Sequence, residues 1–306
     1  MIILVIVIAS LAITIQNIHN TSLEILIIGP LPDKDLLRKF LESQYIEEAG
    51  LLRASVYNTT DDSHRIWIAN DNVLAARALA VLNSPLAKNV LTTLNNKYNG
   101  GWNGKIDILL GRDIPDMFYA RANISYGIVY SKRLGFNLTI YKEVYDYSRP
   151  MLDWYKYADL LVYRALDYLL HGSMSEAEEA FLNLTSMWDG YGFYDIAVNA
   201  TCNDFRKKVY AVYKCALFVY LYRALYYAGS DVVKNYRYVL DKCLEIIAMA
   251  QDTVYGGIYT SYETVNGEIV VLKGNGHDMN TETTSIVVLA LYSNYPEIIG
   301  EKAWLK

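Results

Sequence analysis

Residues 206–228 read RKKVYAVYKCALFVYLYRALYYA, and from Val209 onward only Lys214 and Arg223 in this stretch carry a charge. A helix that is apolar on nearly every side is buried on every side. The two internal charges argue against a bilayer span. We therefore expect this helix to form an inner wall of a large helical core.

The Arg-Ala-Leu motif at the end of this helix recurs along the chain. It occurs at residues 77–79, 164–166 and 223–225, and residues 288–291 keep the apolar pattern without the arginine. Each of the first three segments ends in a short polar turn, and the Ser173–Glu176 spacing predicts a capping box. The recurrence predicts antiparallel helical hairpins at 71–83/85–97, 150–171/174–188 and 206–228/231–250.

Other segments complete this predicted architecture. Aromatic and glycine-rich turns follow the hairpins at 98–102, 188–193 and 255–259. Helices at 33–47 and 280–293 would pair the two ends of the chain into a further hairpin. Residues 104–148 and 257–272 are rich in strand-forming residues, the latter around Asn266-Gly267, and are expected to cover one end of the ring. The predicted fold is mainly α: an α/α toroid of about four helical hairpins with small β-hairpin insertions.

The N-terminus has the composition of a leader. Residues 2–15 form an apolar run that is short for a membrane span and suits a signal peptide, although no Lys or Arg precedes it. We predict a signal peptide or membrane anchor at residues 1–28 and the toroid domain at 29–306, with 104–148 as a β-rich insertion. A buried N-terminal strand is the alternative.

Glycosylation signals support the same location. Six Asn-x-Ser/Thr triplets, more than the composition predicts by chance, begin at Asn20, Asn58, Asn123, Asn137, Asn183 and Asn199. With the leader, they predict an extracellular protein, or one that is membrane-anchored and faces outside.

Composition excludes several other classes. The net charge is −5 and the 28 Lys and Arg residues are dispersed, so nucleic acid is not an expected partner. The three cysteines show no metal-binding spacing, although Cys215 and Cys243 would lie level in one hairpin, close enough to touch or bond. We expect no metal and no cofactor. The scarcity of Gln and Cys is typical of thermophilic proteins.

Two helix entries, Trp-Ile-Ala-Asn-Asp-Asn at 67–72 and His-Asp-Met-Asn-Thr-Glu-Thr-Thr at 277–284, carry a family resemblance together with the glycine-aromatic turns and the Arg-Ala-Leu helices. The chain resembles α/α-toroid proteins, above all the six-hairpin glycosidase-like superfamily, over residues 33–293. It is also similar to secreted archaeal proteins of uncharacterised function. Here about four hairpins stand in place of six. The resemblance implies a sugar substrate at one end of the ring.

Glycosidases use two carboxylates, one of which is a general acid. The acids nearest the repeated turns and helix entries are the candidate catalytic residues Asp71, Asp107, Asp195, Asp278 and Glu282. The candidate substrate-binding residues are Trp67, Trp102, Tyr191, Phe193, Tyr259 and His277. The alternative roles are helix caps and turn ligands for the carboxylates, and packing between repeats for the aromatic residues.

These patterns predict an extracellular carbohydrate-active protein, a glycoside hydrolase or lyase with a polysaccharide or glycan as its partner. A non-catalytic cell-surface glycoprotein that binds glycans or associates with the cell envelope is the second hypothesis. An open cavity lined by acids would favour the first.

Overall fold

The computed structural model describes residues 29–56, 61–199, 208–274 and 276–293. The predicted leader, the triplets at Asn20 and Asn58, and Cys202 lie outside the described residues. Among the helices of the described ranges, none combines the length and the apolarity that a membrane crossing requires.

The helical part consists of hairpins whose members are neighbours in sequence. The described ranges contain eight helices of at least eight residues: α1 (Lys34–Gln44), α2 (Leu74–Val81), α3 (Leu86–Tyr98), α4 (Ala158–Leu170), α5 (Met174–Thr185), α6 (Val212–Tyr227), α7 (Arg237–Met249) and α8 (Thr281–Tyr292). The pairs α2/α3, α4/α5 and α6/α7 confirm the three predicted hairpins.

The four leading helices of these units pack side by side. Helix α8 lies between α2 and α6, and α6 also contacts α4. Of the 16 residues of α6, 12 are buried, which confirms its prediction as a central helix. The predicted pairing of the chain ends is also present, because α8 packs against α1.

The described part of the chain also contains three small sheets with eight strands in all. The eight strands are β1 (Tyr45–Ile46), β2 (Leu51–Leu52), β3 (Arg65–Trp67), β4 (Tyr119–Ser131), β5 (Phe136–Pro150), β6 (Val209–Ala211), β7 (Ser261–Val265) and β8 (Glu268–Val271). Strands β1 and β2 pair with each other, β5 lies between β3 and β4, and β7 lies between β6 and β8. The predicted turn at Asn266-Gly267 is confirmed, since it joins β7 to β8.

The prediction of a mainly α toroid is wrong, because the fold is a mixture of α and β structure with three sheets. The ribbon of β4 and β5 contributes buried residues to the interior, whereas the sequence predicted only a cover for one end of the ring. Leu138, Ile140 and Tyr145 of β5 are buried, and β3 runs parallel to β5 on its other side. Burial alternates over residues 137–140 and again, shifted by one residue, over residues 142–146, so both stretches of β5 contribute side chains to the interior.

Two local predictions need correction. Ser173 precedes α5 but its side chain makes no capping hydrogen bond, so the capping box with Glu176 is wrong. Cys215 and Cys243 are both buried free thiols, so the structure has no disulfide between them. Burial, followed by the hydrogen bond with Cys215, raises the pKa of Cys243 well above its ordinary value.

The turn after α7 packs against α1 so closely that it requires glycine. Gly256 has φ +85°, and a Cβ there would overlap the backbone carbonyl of Leu36. We expect Gly256→Ala to lower the free energy of unfolding by about 1–2 kcal/mol for the left-handed backbone and by about a further 1–3 kcal/mol for the overlap. Gly229→Ala is the matched control, since Gly229 has φ +92° and an added Cβ would meet nothing within 4 Å. Urea denaturation measures both variants, and equal losses would contradict the packing role.

Candidate functional site

One cavity of about 300 Å³ brings several acidic side chains together. It lies where β3, the segment after it, the β4–β5 ribbon and the start of α8 meet. Its lining residues are Asp62, Arg65, Trp67, Asn70, Asp71, Arg121, Asn123, Glu143 and Glu282. Two predicted catalytic residues, Asp71 and Glu282, and one predicted aromatic residue, Trp67, are therefore in the same cavity.

A wide helical turn presents Asp71 to the cavity. Residues Ile68–Val73 form a π-helix, a conformation that is frequent at functional sites. Asn72 holds this turn in place: its Oδ1 accepts from the Leu52 backbone N–H at 2.7 Å, and its Nδ2 donates to the carbonyls of Leu52 at 2.9 Å and Trp67 at 2.7 Å. Asp71 lies within this turn, and the N-cap residue, Trp67, makes no side-chain capping bond.

The environment of Asp71 favours its protonated form. Its side chain is almost completely buried, and its Oδ2 has no hydrogen-bond partner among the described residues. Burial, followed by the negative charge of Glu282, raises the pKa of Asp71 well above its ordinary value.

Glu282 lies in the first turn of α8, but the hydrogen bonds that fix this end of the helix come from its neighbours. Its carboxyl group is therefore available for chemistry. Asn280 caps α8 by accepting from the Thr283 backbone N–H at 2.7 Å, and the Thr281 hydroxyl donates to the Arg53 carbonyl at 2.6 Å. Burial, followed by the negative charge of Glu143, raises the pKa of Glu282 to about 7. Glu282 is therefore a proton donor that titrates near neutral pH.

The opposite wall of the cavity comes from the ribbon and was not predicted from the sequence. Arg121 on β4 donates from Nη1 to Oε1 of Glu143 on β5 at 2.5 Å, a charge-assisted hydrogen bond. Oε2 of Glu143 has no hydrogen-bond partner among the described residues. Asn123 is opposite Glu143 in the ladder, so Arg121 reaches it diagonally.

A second cavity of about 610 Å³ adjoins the first, since Arg121 lines both. Two carboxylates that line it are paired with lysines: Asp159 with Lys105 at 3.2 Å, and Asp195 with Lys214 at 2.7 Å. Asp195 also accepts from the backbone N–H of Ala158, the first residue of α4, at 2.9 Å. This candidate carboxylate thus binds a lysine and the start of a helix.

The other two candidate carboxylates are engaged in turns. Asp107 is buried and accepts from the backbone N–H groups of Asn103 at 3.3 Å and Gly104 at 2.6 Å. Burial raises its pKa. Asp278 is buried and accepts from the Ser55 hydroxyl at 2.6 Å. Neither is among the residues that line the 300 Å³ cavity.

The remaining predicted binding residues also lie away from this cavity. The guanidinium of Arg112 covers Trp102, with 4.0 Å between the carbon and the ring centroid. Phe193 is buried against Trp188, and the hydroxyl of buried Tyr259 donates to Asp252 at 2.9 Å. Tyr191 is exposed, and His277 lies in the loop before α8.

No family model, curated protein or solved structure matches this chain. Within the described part of the chain, no group of three or more His, Cys, Asp and Glu side chains is arranged to hold a metal ion. A function must therefore be argued from the chemistry of the acidic cavity.

A further cavity, of about 680 Å³, lies at the tip of the β4–β5 ribbon. Its polar contacts anchor that tip. Arg133 donates from Nη2 to the carbonyls of Ser43 at 2.8 Å and Tyr45 at 3.0 Å, and the Lys132 backbone N–H donates to Glu48 at 3.0 Å. This anchoring fixes the ribbon that carries Arg121 and Glu143.

The raised pKa of Glu282 makes stability depend on pH. Between its ordinary pKa of 4.5 and its folded pKa of about 7, the folded chain holds a proton that the unfolded chain has released. Raising the pH across this interval therefore lowers the free energy of unfolding. We expect the melting temperature of Glu282→Gln, relative to the wild type, to rise from pH 4.5 to about 7 and then to level off. A pH series of thermal melts measures this, with Glu245→Gln on the exposed face of α7 as the control. A difference that is constant with pH would contradict the assignment.

Proposed function

We propose that this protein is an extracellular glycoside hydrolase in which Glu282 is the general acid and Glu143 is its negatively charged partner. The observation that carries the proposal is that two carboxyl groups in different environments line one cavity. Burial raises the pKa of Glu282 to about 7, whereas Arg121 binds Glu143 at 2.5 Å. A buried carboxyl group with a raised pKa, beside a second carboxyl group that is bound by an arginine, is a basis for assigning an acid and its partner.

The proposed chemistry follows from these environments. Glu282 gives its proton to the oxygen of the glycosidic bond as that bond breaks. Glu143 faces the positive charge that develops on the sugar ring, either by attacking the anomeric carbon or by activating water. Trp67, which lines the same cavity, offers an aromatic surface for a sugar ring.

A hydrolase fits better than a lyase, since a lyase needs a base that removes a proton from carbon. Tyr163 and Tyr213 are buried phenols that the charges of Asp159 and Glu282 affect, and burial, followed by the charge of Asp159, raises the pKa of both well above the ordinary value. Such phenols stay protonated and are poor bases. The residues that line the 300 Å³ cavity include no histidine.

The proposal is tested by screening purified protein against polysaccharides for release of reducing ends, and against a panel of 4-nitrophenyl glycosides. We expect at least one substrate to be cleaved, with a rate that falls as the pH rises through about 7 because Glu282 loses its proton. Absence of cleavage across the panel, or a rate that stays high well above pH 7, would contradict the general-acid assignment.

The second candidate, a non-catalytic surface glycoprotein, is favoured by one observation. Asn123 begins an Asn-Ile-Ser triplet, is exposed, and lines the acidic cavity. A glycan there would stand at the entrance of the site. Asn137 and Asn183 begin further triplets and are also exposed. Mass spectrometry of the protein from its native host distinguishes the two, since an occupied Asn123 favours the glycoprotein and an unmodified Asn123 favours the enzyme.

A further inference from the structure

The acidic cavity contains two buried carboxylate oxygens that lack a donor. Asp71 is 3% exposed and its Oδ2 has no hydrogen-bond partner among the described residues. Glu143 is 9% exposed and the same holds for its Oε2. A buried polar atom without a partner is costly. Both side chains line the cavity, so a donor on a bound ligand would relieve this cost.

The charges of the cavity are not balanced by its own residues. Four carboxyl groups, Asp62, Asp71, Glu143 and Glu282, face two guanidinium groups. Arg65 pairs with Asp62 at 3.3 Å, and Arg121 pairs with Glu143 at 2.5 Å. No arginine or lysine forms an ion pair with Asp71 or Glu282 among the described residues. Two of the four carboxyl groups, Asp71 and Glu282, therefore have no cationic partner in the cavity.

The adjoining 610 Å³ cavity does not have this imbalance. Lys105 pairs with Asp159 at 3.2 Å and Lys214 pairs with Asp195 at 2.7 Å. Any preference for a charged ligand is therefore expected in the 300 Å³ cavity, which contains Asp71 and Glu282.

We infer that the 300 Å³ cavity binds a positively charged amino group of the substrate, which makes the preferred substrate class a sugar with a free amine, such as a 2-amino-2-deoxyhexose. This inference rests on the proposed function. An ammonium group has three donors and no acceptor. It therefore matches the open oxygens of Asp71 and Glu143. An acidic sugar would add a further negative charge to a cavity already rich in carboxyl groups, which disfavours its binding.

Binding of the amine has a consequence that a neutral sugar lacks. A cation beside the open oxygen of Asp71 stabilises the ionised form of that carboxyl group, whereas Glu282 keeps the proton that it gives to the leaving group. The complex then releases a proton that the free protein holds at Asp71. A neutral disaccharide adds no charge and leaves this proton in place. Calorimetry in buffers of different ionisation enthalpy counts the released protons directly.

The test is isothermal titration calorimetry at about pH 6, where the amine is protonated. The probes are the β-1,4-linked disaccharide of glucosamine, its N-acetylated form and cellobiose, with chromatography confirming that each stays intact. We expect the glucosamine disaccharide to bind at least about tenfold more tightly than the other two, with proton release. We expect Asp71→Asn and Glu143→Gln, each of which alters a carboxylate proposed to bind the amine, to lose this preference, while Asp231→Asn on the surface keeps it.

Equal affinity for the three probes, no binding of any of them, or a preference that both cavity variants retain would overturn the inference. Two cavity variants are measured, so that the second still tests the inference if the first does not fold. The outcome is separate from that of the cleavage screen. A preference for the amine without cleavage refutes the proposed hydrolase alone, whereas cleavage of neutral glycosides without the preference refutes the amine site alone.

Discussion

Replacing Glu282 with Gln is expected to lower the turnover number about 10²–10⁴-fold on any substrate that the cleavage screen identifies, which is the usual contribution of a general acid. The amide keeps the size of the side chain but has no proton to give to the leaving group. Substrates whose leaving group is already acidic, such as 4-nitrophenol, need less protonation and should lose less. The loss of rate near pH 7 should disappear in the variant, because the group with a pKa of about 7 has been removed.

The partner carboxylate gives an independent check of this assignment. Glu143→Gly should also be inactive on natural substrates, and sodium azide should restore cleavage if Glu143 attacks the anomeric carbon. Azide then takes the place of the carboxylate, forms the bond to the sugar, and Glu282 still protonates the departing oxygen. Glu245→Gln on the surface of α7 is the matched control and should keep full activity. Wild-type turnover in Glu282→Gln on a poor leaving group would refute the general-acid role.

The helical hairpins were predictable because their signals are local. The motif at Arg223, repeated at Arg77 and Arg164, identified three helices, and the polar turns after them gave their partners. The predicted positions of the helix ends were less accurate. The helix expected from residue 150 begins at Ala158, because Trp154–Lys156 form a 3-10 turn. Such differences depend on tertiary contacts that no local pattern encodes.

The fold class was not predictable from those signals alone. Strand-rich residues at 104–148 were recognised, but nothing in the sequence stated that β5 would pair with β3, a segment about 70 residues earlier. The pairing of Ile66 with Ile140 adds β3 to the hairpin of β4 and β5. This region is therefore a three-stranded sheet, whereas the sequence predicted a covering loop. The repeated helical motif therefore led to the prediction of a mainly α fold, because the long-range pairing of the strands has no comparable local signal.

The candidate site was predictable only in part, because some of its residues lie in local sequence patterns and others do not. Asp71 and Glu282 stand at helix entries, where a sequence pattern draws attention to them. Glu143 and Arg121 lie inside strands and have no motif. The signal that would have found them is the register of the hairpin: a turn near residues 132–135 places Asn123 opposite Glu143, with Arg121 one diagonal step away.

The repeated arginine has a structural role that leads to the largest expected change in stability. Arg223 is 0% exposed, and its guanidinium donates to the Ala290 carbonyl and, at 3.1 Å, to the Ser293 carbonyl at the end of α8. The last carbonyls of a helix have no partner within the helix. Arg164 donates to the carbonyls of the loop residues Pro115 and Asp116, each at 2.8 Å. In these two helices the arginine of the motif therefore joins the helix to a neighbouring segment.

Arg223→Met should lower the free energy of unfolding by about 3–5 kcal/mol, because methionine fills much of the space but leaves buried carbonyls without donors. Arg237→Ala is the matched control and should cost less than about 1 kcal/mol, since the pair with Asp241 at 2.8 Å is solvent-exposed. Denaturation with guanidinium chloride measures both. Because α8 also carries Glu282 at its other end, we expect Arg223→Met to weaken any activity at temperatures where the chain is still folded. A loss below about 1 kcal/mol would show that the carbonyls find other donors, and the motif would then be a packing feature alone.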